Sequence, residues 1–431
     1  MKKLVAAVMA AAMVSGAFVS CKKNAKVKSN ISNGGKVLNI YCWNDEFKTR
    51  FDTYVRAEIE AKGVTVNFIQ APNQDGVYRQ KLDAALEAAS TAKPEDKIDM
   101  FLVEADYALA YVDTPFTVPV KDLGITDSDL ANQFKYTKDI MTDGQGVLKG
   151  VSWQGCPGGF CYRRSIAKAV LGTDEPEEVQ KALSDWDKFD KVAADAKAKG
   201  YFMLSGFDDA FRVFSDNVKT PWVTNKKITM DPMIKRWIDQ TKTYTDKGYN
   251  NKASLWSAES TKGMAKNGKV FGYFGPAWFI DFCMNKEASG DWAFCNGPMG
   301  FSWGGTWICA ANGTDNADEI KTIMKKLTCD KDTMVRIAKE YNDFTNNEPA
   351  MNEVAADPSY HNEFLGGQNH MAFFVKSAAS IKKENITKYD QECTEEIMAA
   401  MSDYFNGLVD YDTALNNFYD KVEKRCPGVT R

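Results

Sequence analysis

Residues 36–70, KVLNIYCWNDEFKTRFDTYVRAEIEAKGVTVNFIQ, decide the fold. KVLNIYCW is an apolar run that reads as a buried strand. Phe47, Phe51, Tyr54, Val55 and Ile59 then recur at helical spacing until Gly63 stops them. VTVNFIQ (64–70) is a second strand. Beyond it Tyr78, Leu82, Ala85 and Leu86 share one helical face, and KIDMFLVE (97–104) is a third strand. This order predicts a largely parallel sheet with helices on both faces, because parallel neighbours need a crossover. Such sheets take ligands beyond the carboxyl ends of their strands. Trp43, Asn44 and Asp45 lie there after the first strand, Ala71 to Gln74 after the second, and Glu104 to Tyr107 after the third.

From about Lys149 the pattern changes. GVSWQGCPGGF (150–160) is glycine-rich and extended. Helices are then expected at 165–171, 186–199, 232–247 and 258–267, with short strands at YFMLSG, KVFGYF and WAFCNGP between them. A second glycine-containing piece, FSWGGTWICAA (301–311), precedes helices expected at 317–327 and 332–341, and the tail after NHMAFFV is again helical. Two extended crossings around a middle block predict a second lobe inserted into the first. Connections of several strands let a two-lobed clamp bend without coming apart.

The 431 residues are 44% hydrophobic and 26% charged, with a net charge of -4, so nothing in the balance calls for nucleic acid. The start of the chain is different. Lys2 and Lys3 precede an uncharged run from Leu4 to Val19, followed by Cys21 and the polar KKNAKVKSNISNGG. These are the parts of a secretory signal, and the run is marginal for a span, which needs about 20 apolar residues. Cys21 is either a chance cysteine after an ordinary signal or a new N-terminus that carries lipid. The run, cysteine and tether together favour lipid, and FVSC resembles the bacterial lipoprotein box. No later segment is apolar enough to span a membrane.

Ten cysteines are present, and lipidation of Cys21 leaves an odd number. Their apolar, strand-like contexts predict small core residues with free thiols. Cys156 and Cys161 in WQGCPGGFCYRR are the one close pair, with glycines between them that admit a local disulfide. No CxxC pair occurs, and no metal or cofactor is expected.

The blocks LNIYCWNDEF, DMFLVEADY, GVSWQGCPGGFCYRRSIAKAVLG, SDWDKFDKVA, GKVFGYFGPAW and WGGTWICAANGTDNADEIKTIMKKL resemble, in order and spacing, the extracellular solute-binding proteins of carbohydrate ABC transporters. This is the family 1 group that includes maltose-binding protein. The resemblance implies an α/β, two-lobed fold of the periplasmic-binding-protein type II kind. Each lobe would be a mostly parallel sheet flanked by helices, and a multi-strand hinge would join them. The implied division is residues 1–20 signal peptide, 21–35 lipidated cysteine and flexible tether, 36–150 plus 308–365 lobe 1, and 151–307 plus 366–431 lobe 2. It also implies an extracytoplasmic, membrane-anchored protein that closes on a sugar, an oligosaccharide in this reading, and presents it to permease subunits.

Sugar chemistry narrows the candidates. Apolar sugar faces lie on aromatic rings, and the hydroxyl rim wants carboxylates, amides and arginine. Trp186, Trp237 and Trp292 sit in helical stripes or a strand and read as core packing. Trp43, Trp278 and Trp303 are the favoured stacking rings, and the family likeness places a ligand-stacking tryptophan at about Trp278. Trp256 and Trp222 are open between contact and packing, as are Trp153 and Trp307. The polar candidates are Asn44, Asp45, Gln74, Glu104, Asp106, Asp208 and Arg212, the last two spaced to share a helical face. Asp209 reads as a helix cap with a surface ion pair. The rival class is a secreted glycoside hydrolase with paired carboxylates. Against it, only two histidines occur, and no G-x-S-x-G, H-E-x-x-H or phosphate loop.

Overall fold

The computed structural model describes residues 29–431. Cys21 and the expected signal peptide lie outside the described residues. Of the expected tether, the part from Ser29 onward is docked rather than free. Ser32 N–H donates to Thr314 O (3.0 Å), Gly35 N–H to Asp315 O (2.8 Å), and Asn30 N–H to Asn312 Oδ1 (2.7 Å). Backbone groups that find partners this way lose the freedom their polar composition suggested.

The first sheet contains β1 (Val37–Cys42), β2 (Thr65–Gln70), β3 (Met100–Glu104), β4 (Val151–Ser152) and a late-chain strand, β9 (Thr306–Ala310). Their order is β2-β1-β3-β9-β4. β1 runs parallel to β2 and β3, whereas β9 is antiparallel to β3 and β4. Strand alternation divides the core into two layers. Leu38, Ile40, Met100 and Leu102 face helix Glu46–Tyr54 with its Phe47 and Phe51. Phe101 and Val103 face the other side, where helix Val77–Ala88 buries Tyr78, Leu82 and Leu86.

The second sheet is built on β5 (Pro157–Arg163), with β6 (Gly272–Gly275), β7 (Trp292–Cys295) and β8 (Phe301–Ser302). Here the expected parallel sense gives way, since β6, β7 and β8 all pair antiparallel with β5. β5 carries the chain into this lobe and its neighbours run back toward the crossing. Parallel pairing survives as the single bridges Phe202↔Val270 and Leu204↔Asn250, so YFMLSG is not a full strand. The β5 glycines are packing sites rather than a turn. A Cβ on Gly158 would stand 2.2 Å from Phe301 Cζ. Cys156 directly precedes β5 and Cys161 lies within it, so extended backbone separates them by roughly 16 Å at about 3.3 Å per residue, far beyond disulfide reach. The nine described cysteines are free.

Three stretches meet between the lobes. Residues 153–156 and 303–305 connect the two sheets. Against the first lies the segment after helix Lys331–Tyr341, through Gly155 N–H to Phe344 O (2.9 Å) and Asn346 N–H to Trp153 O (2.7 Å). Pairing of Ser152 with Trp307 carries the first sheet past the expected lobe boundaries at 150 and 308.

Candidate functional site

The carboxyl ends of β1 and β3, the crossings and the loops after β6 surround a cleft of about 620 Å³. Its aromatic wall has a fixed geometry. The Trp278 and Trp303 rings lie 4.9 Å apart at 70°, and Trp278 Nε1 donates to the Trp303 carbonyl (2.9 Å). Trp256, 63% exposed, stands 5.7 Å from Trp303 as the outer edge. Trp43 faces them from the other lobe, braced by Tyr78 at 5.3 Å. Gly304 and Gly305 have φ of +73° and +108°, a region that favours glycine, and they let the backbone turn between these rings. Phe282, 61% exposed, joins the lining from a π-helical turn, Phe279–Cys283. Such turns re-aim side chains, and here Phe279 and Ile280 are buried while Phe282 looks out.

The polar floor is a buried cluster. Gln154 Nε2 donates to Glu46 Oε1 (2.8 Å) and Asp343 Oδ2 (3.3 Å). Arg50 Nη2 lies 3.6 Å from Asp343 and 3.9 Å from Glu46, and its guanidinium stacks 4.1 Å above Tyr341. Arg50 Nε is buried without an acceptor. Burial, with Asp343 nearby, pushes the Glu46 carboxyl up to about 7. Glu104, at the end of β3, receives the Asp106 N–H (2.9 Å); burial and the Asp106 charge push it up to about 8. Asp106 goes the other way. Burial alone would raise it, but Arg212 outweighs burial and holds it below the usual carboxylate range. Arg212 reaches across from the second lobe and grips both Asp106 oxygens, at 2.7 and 2.6 Å. Beyond Gly304 lies a smaller cavity of about 180 Å³, lined by this pair together with Asp216, Lys383 and Asp390.

Residues 52–364 match the family described as bacterial extracellular solute-binding protein. The chain belongs to that family. Its members act outside the cytoplasm, and among the described residues no helix is long and apolar enough to cross a membrane. Solved structures share the two-lobed fold of this solute-binding protein. One described as an extracellular solute-binding protein of family 1 is 20% identical, with a TM-score of 0.78, over 90% of this chain and 99% of its own. The sugar-binding protein MalE of Xanthomonas citri is 14% identical, with a TM-score of 0.71, over 90% and 98%. The ABC transporter associated binding protein of B. animalis subsp. lactis Bl-04, solved with beta-1,6-galactobiose, is 15% identical, with a TM-score of 0.69, over 92% and 100%. No curated protein sequence matches the chain.

In this solute-binding protein Trp43, Asn44, Asp45, Glu104, Trp256, Trp278 and Trp303 come together in the cleft. The other candidates do not. Gln74 is exposed in the short turn Gln74–Gly76 and does not line it. Asp208 and Arg212 do not pair as their spacing suggested, because Asp208 precedes the helix that begins at Phe211. Asp208 instead accepts from Ser254 Oγ (2.6 Å) and Leu255 N–H (2.9 Å), which fixes the loop carrying Trp256. Asp209 is 2% exposed and accepts from the Ser205 and Gly206 N–H groups, so it is an internal loop anchor rather than a surface cap. Trp153 and Trp307 pack in the core, Trp307 donating to Thr137 O (2.9 Å). Trp222 is buried against Phe418 and borders the smaller cavity.

Sequence reasoning passed over Arg50, Gln154, Asp343 and Phe282. The i,i+4 spacing of Glu46 and Arg50 at the start of the first helix was a usable signal. Asp343 and Gln154 meet only through the folded crossing, and the π turn behind Phe282 has no local signature. Among the described residues no cluster of His, Cys, Asp or Glu could hold a metal ion.

Proposed function

We propose that this protein captures a saccharide in the aromatic cleft and delivers it, by closure of the lobes, to the permease subunits of an ABC importer. The observation that carries this is the pairing of indole faces with a hydroxyl-binding floor. Trp43, Trp256, Trp278 and Trp303 offer apolar surfaces, while Asn44, Glu46, Glu104 and Gln154 offer acceptors and donors. Rings from both lobes favour an oligosaccharide. The sugar named for the B. animalis protein and the description of the X. citri protein as sugar-binding support the same class.

Lipidation at Cys21 would hold the body at a membrane, with the polar residues after it as the spacer. Cys21→Ala should release the protein from the membrane fraction; unchanged partitioning removes the anchor. The second reading is a glycan-active enzyme, because Glu46 and Glu104, raised to about 7 and about 8, have the proton affinity of general acids. Purified protein should be screened against mono- and oligosaccharides by thermal shift, small-angle scattering and product analysis. A stabilising sugar that shrinks the particle and is recovered intact is the expected result. Bound sugar with unchanged scattering would remove closure, and altered products would replace binding with catalysis.

A further inference from the structure

The charge balance of the cleft bears on which saccharides it admits, an inference that rests on the saccharide reading above. Asp45, Glu46 and Glu104 line the cleft, and Asp281 and Asp343 stand close enough to act on Glu46. The cations nearby are already committed. Arg50, 4% exposed, is held between Asp343 and Glu46 and capped by the Tyr341 ring. Arg212, its guanidinium 5.8 Å from the Trp303 ring, is bidentate on Asp106. No lysine or histidine is among the lining residues.

We propose that the cleft is selective for uncharged saccharides and rejects those bearing carboxylate or phosphate, with Glu46, Glu104 and Asp343 setting the rejection. An acidic sugar entering here loses its hydration and finds no free cation in exchange. A hydroxyl meets the opposite situation. It donates to a carboxylate, or accepts from a protonated one, without any change in the charge of the site. Burial first and neighbouring carboxylates second raise the Glu46 and Glu104 carboxyls, and protonating them removes negative charge without giving the cleft a free cation. The device is repulsion and unmet desolvation rather than a better contact to the accepted ligand. Asp343 also acts through Arg50, because it occupies the one guanidinium that borders the cleft.

Titration calorimetry on the whole folded protein tests this with matched probes: cellobiose against cellobiouronic acid, galactobiose against digalacturonic acid, and glucose against glucose 6-phosphate. The neutral member should bind at least about tenfold tighter wherever either member binds. Asp343→Asn, which releases Arg50, should narrow that ratio at least about threefold, and Glu46→Gln should move it the same way if the first variant fails to fold. Equal or tighter binding of an acidic member to the wild type overturns the proposal and leaves the saccharide reading standing. A ratio unmoved in variants that melt like the wild type overturns the residue assignment. If no member of any pair binds, the saccharide reading falls and takes this inference with it.

Discussion

On one side of Gly304, Asp106 meets Arg212 and Asp216 meets Lys383; on the other, Glu104 faces the cleft with a backbone N–H as its partner. The two cavities draw on the same crossing and on neighbouring residues of one strand end. What separates them is whether each carboxylate has a counter-ion. Paired acids tie elements together, as Asp106 ties the lobes. Acids without a dedicated cation stay available to a ligand, and burial then lifts their proton affinity, as it does for Glu104. Position along the chain says little about which fate an acid takes. Glu104 and Asp106 are two residues apart.

The largest effect should come from breaking the paired side. Arg212→Met leaves Asp106 without its bidentate partner between the lobes. The side chains keep 27% and 34% exposure, so the loss should sit near the low end for such pairs, about 3 kcal/mol of stability in urea unfolding. Arg212→Met with Asp106→Asn should recover part of it. A double variant no more stable than the single one would mean that the pair does not couple the lobes.

Trp278→Ala probes the unpaired side. The ring is half-buried and its Nε1 anchors the Trp303 carbonyl, so truncation removes a stacking face and loosens a second one. Affinity for the bound sugar should fall by about 2 kcal/mol, the range of an interface anchor, with the fold retained. A drop in melting temperature without a specific loss of affinity would assign the ring to packing instead.

The next prediction concerns pH. Glu104 is raised from an ordinary 4.5 to about 8, by burial first and then by Asp106, with Arg212 opposing; Glu46 is raised to about 7. Tyr107 and Cys156 also face Glu104 and are themselves held up by burial. A carboxyl raised in the folded state keeps a proton that the unfolded chain has released. Stability from this source is therefore present below about pH 4.5 and lost as pH climbs toward 8. Glu104→Gln should remove the upper part of that slope, about 1–2 kcal/mol between pH 5 and 8.5 once screening by cleft water is allowed for. Parallel wild-type and variant curves would show that Glu104 titrates normally.

This contrast explains what the sequence could show. Helix and strand periodicity around Phe47, Phe51 and Leu82 is local, and the parallel β1, β2 and β3 part of the first sheet follows from it, whereas the antiparallel β9 comes from about two hundred residues further on. The sense of the second sheet is not local: β5 meets β6 more than a hundred residues later, and helical text between them suggested parallel crossovers. At the site, Trp43, Trp278 and Trp303 were legible because strand ends and glycines flank them. Gln154 and Asp343 were not, since they join Glu46 from two other stretches that only the folded crossing brings together. The fate of Asp208 and Arg212 was misjudged for the same reason, as each bonds to a partner distant in the chain.

The smallest expected effect belongs to Asp208, which stands behind the cleft and shapes it through the loop it holds. Its carboxylate accepts from Ser254 Oγ and Leu255 N–H, the two consecutive residues that lead into Trp256. Burial raises this carboxyl above its usual range, so the two donors offset part of a desolvation cost. Asp208→Asn can keep both contacts, its oxygen accepting from Leu255 N–H and its amide N–H donating to Ser254 Oγ, but it exchanges charge-assisted bonds for weaker neutral ones. The loop should be held less tightly by roughly 1 kcal/mol, the difference between charged and neutral hydrogen bonds, and sugar affinity should weaken about fivefold as Trp256 becomes less fixed. If Asp208 acts only by positioning that ring, the same substitution in a Trp256→Ala background should change affinity hardly at all. Calorimetry on the two singles and the double decides it. Additive losses would mean that Asp208 reaches the sugar by some route other than Trp256.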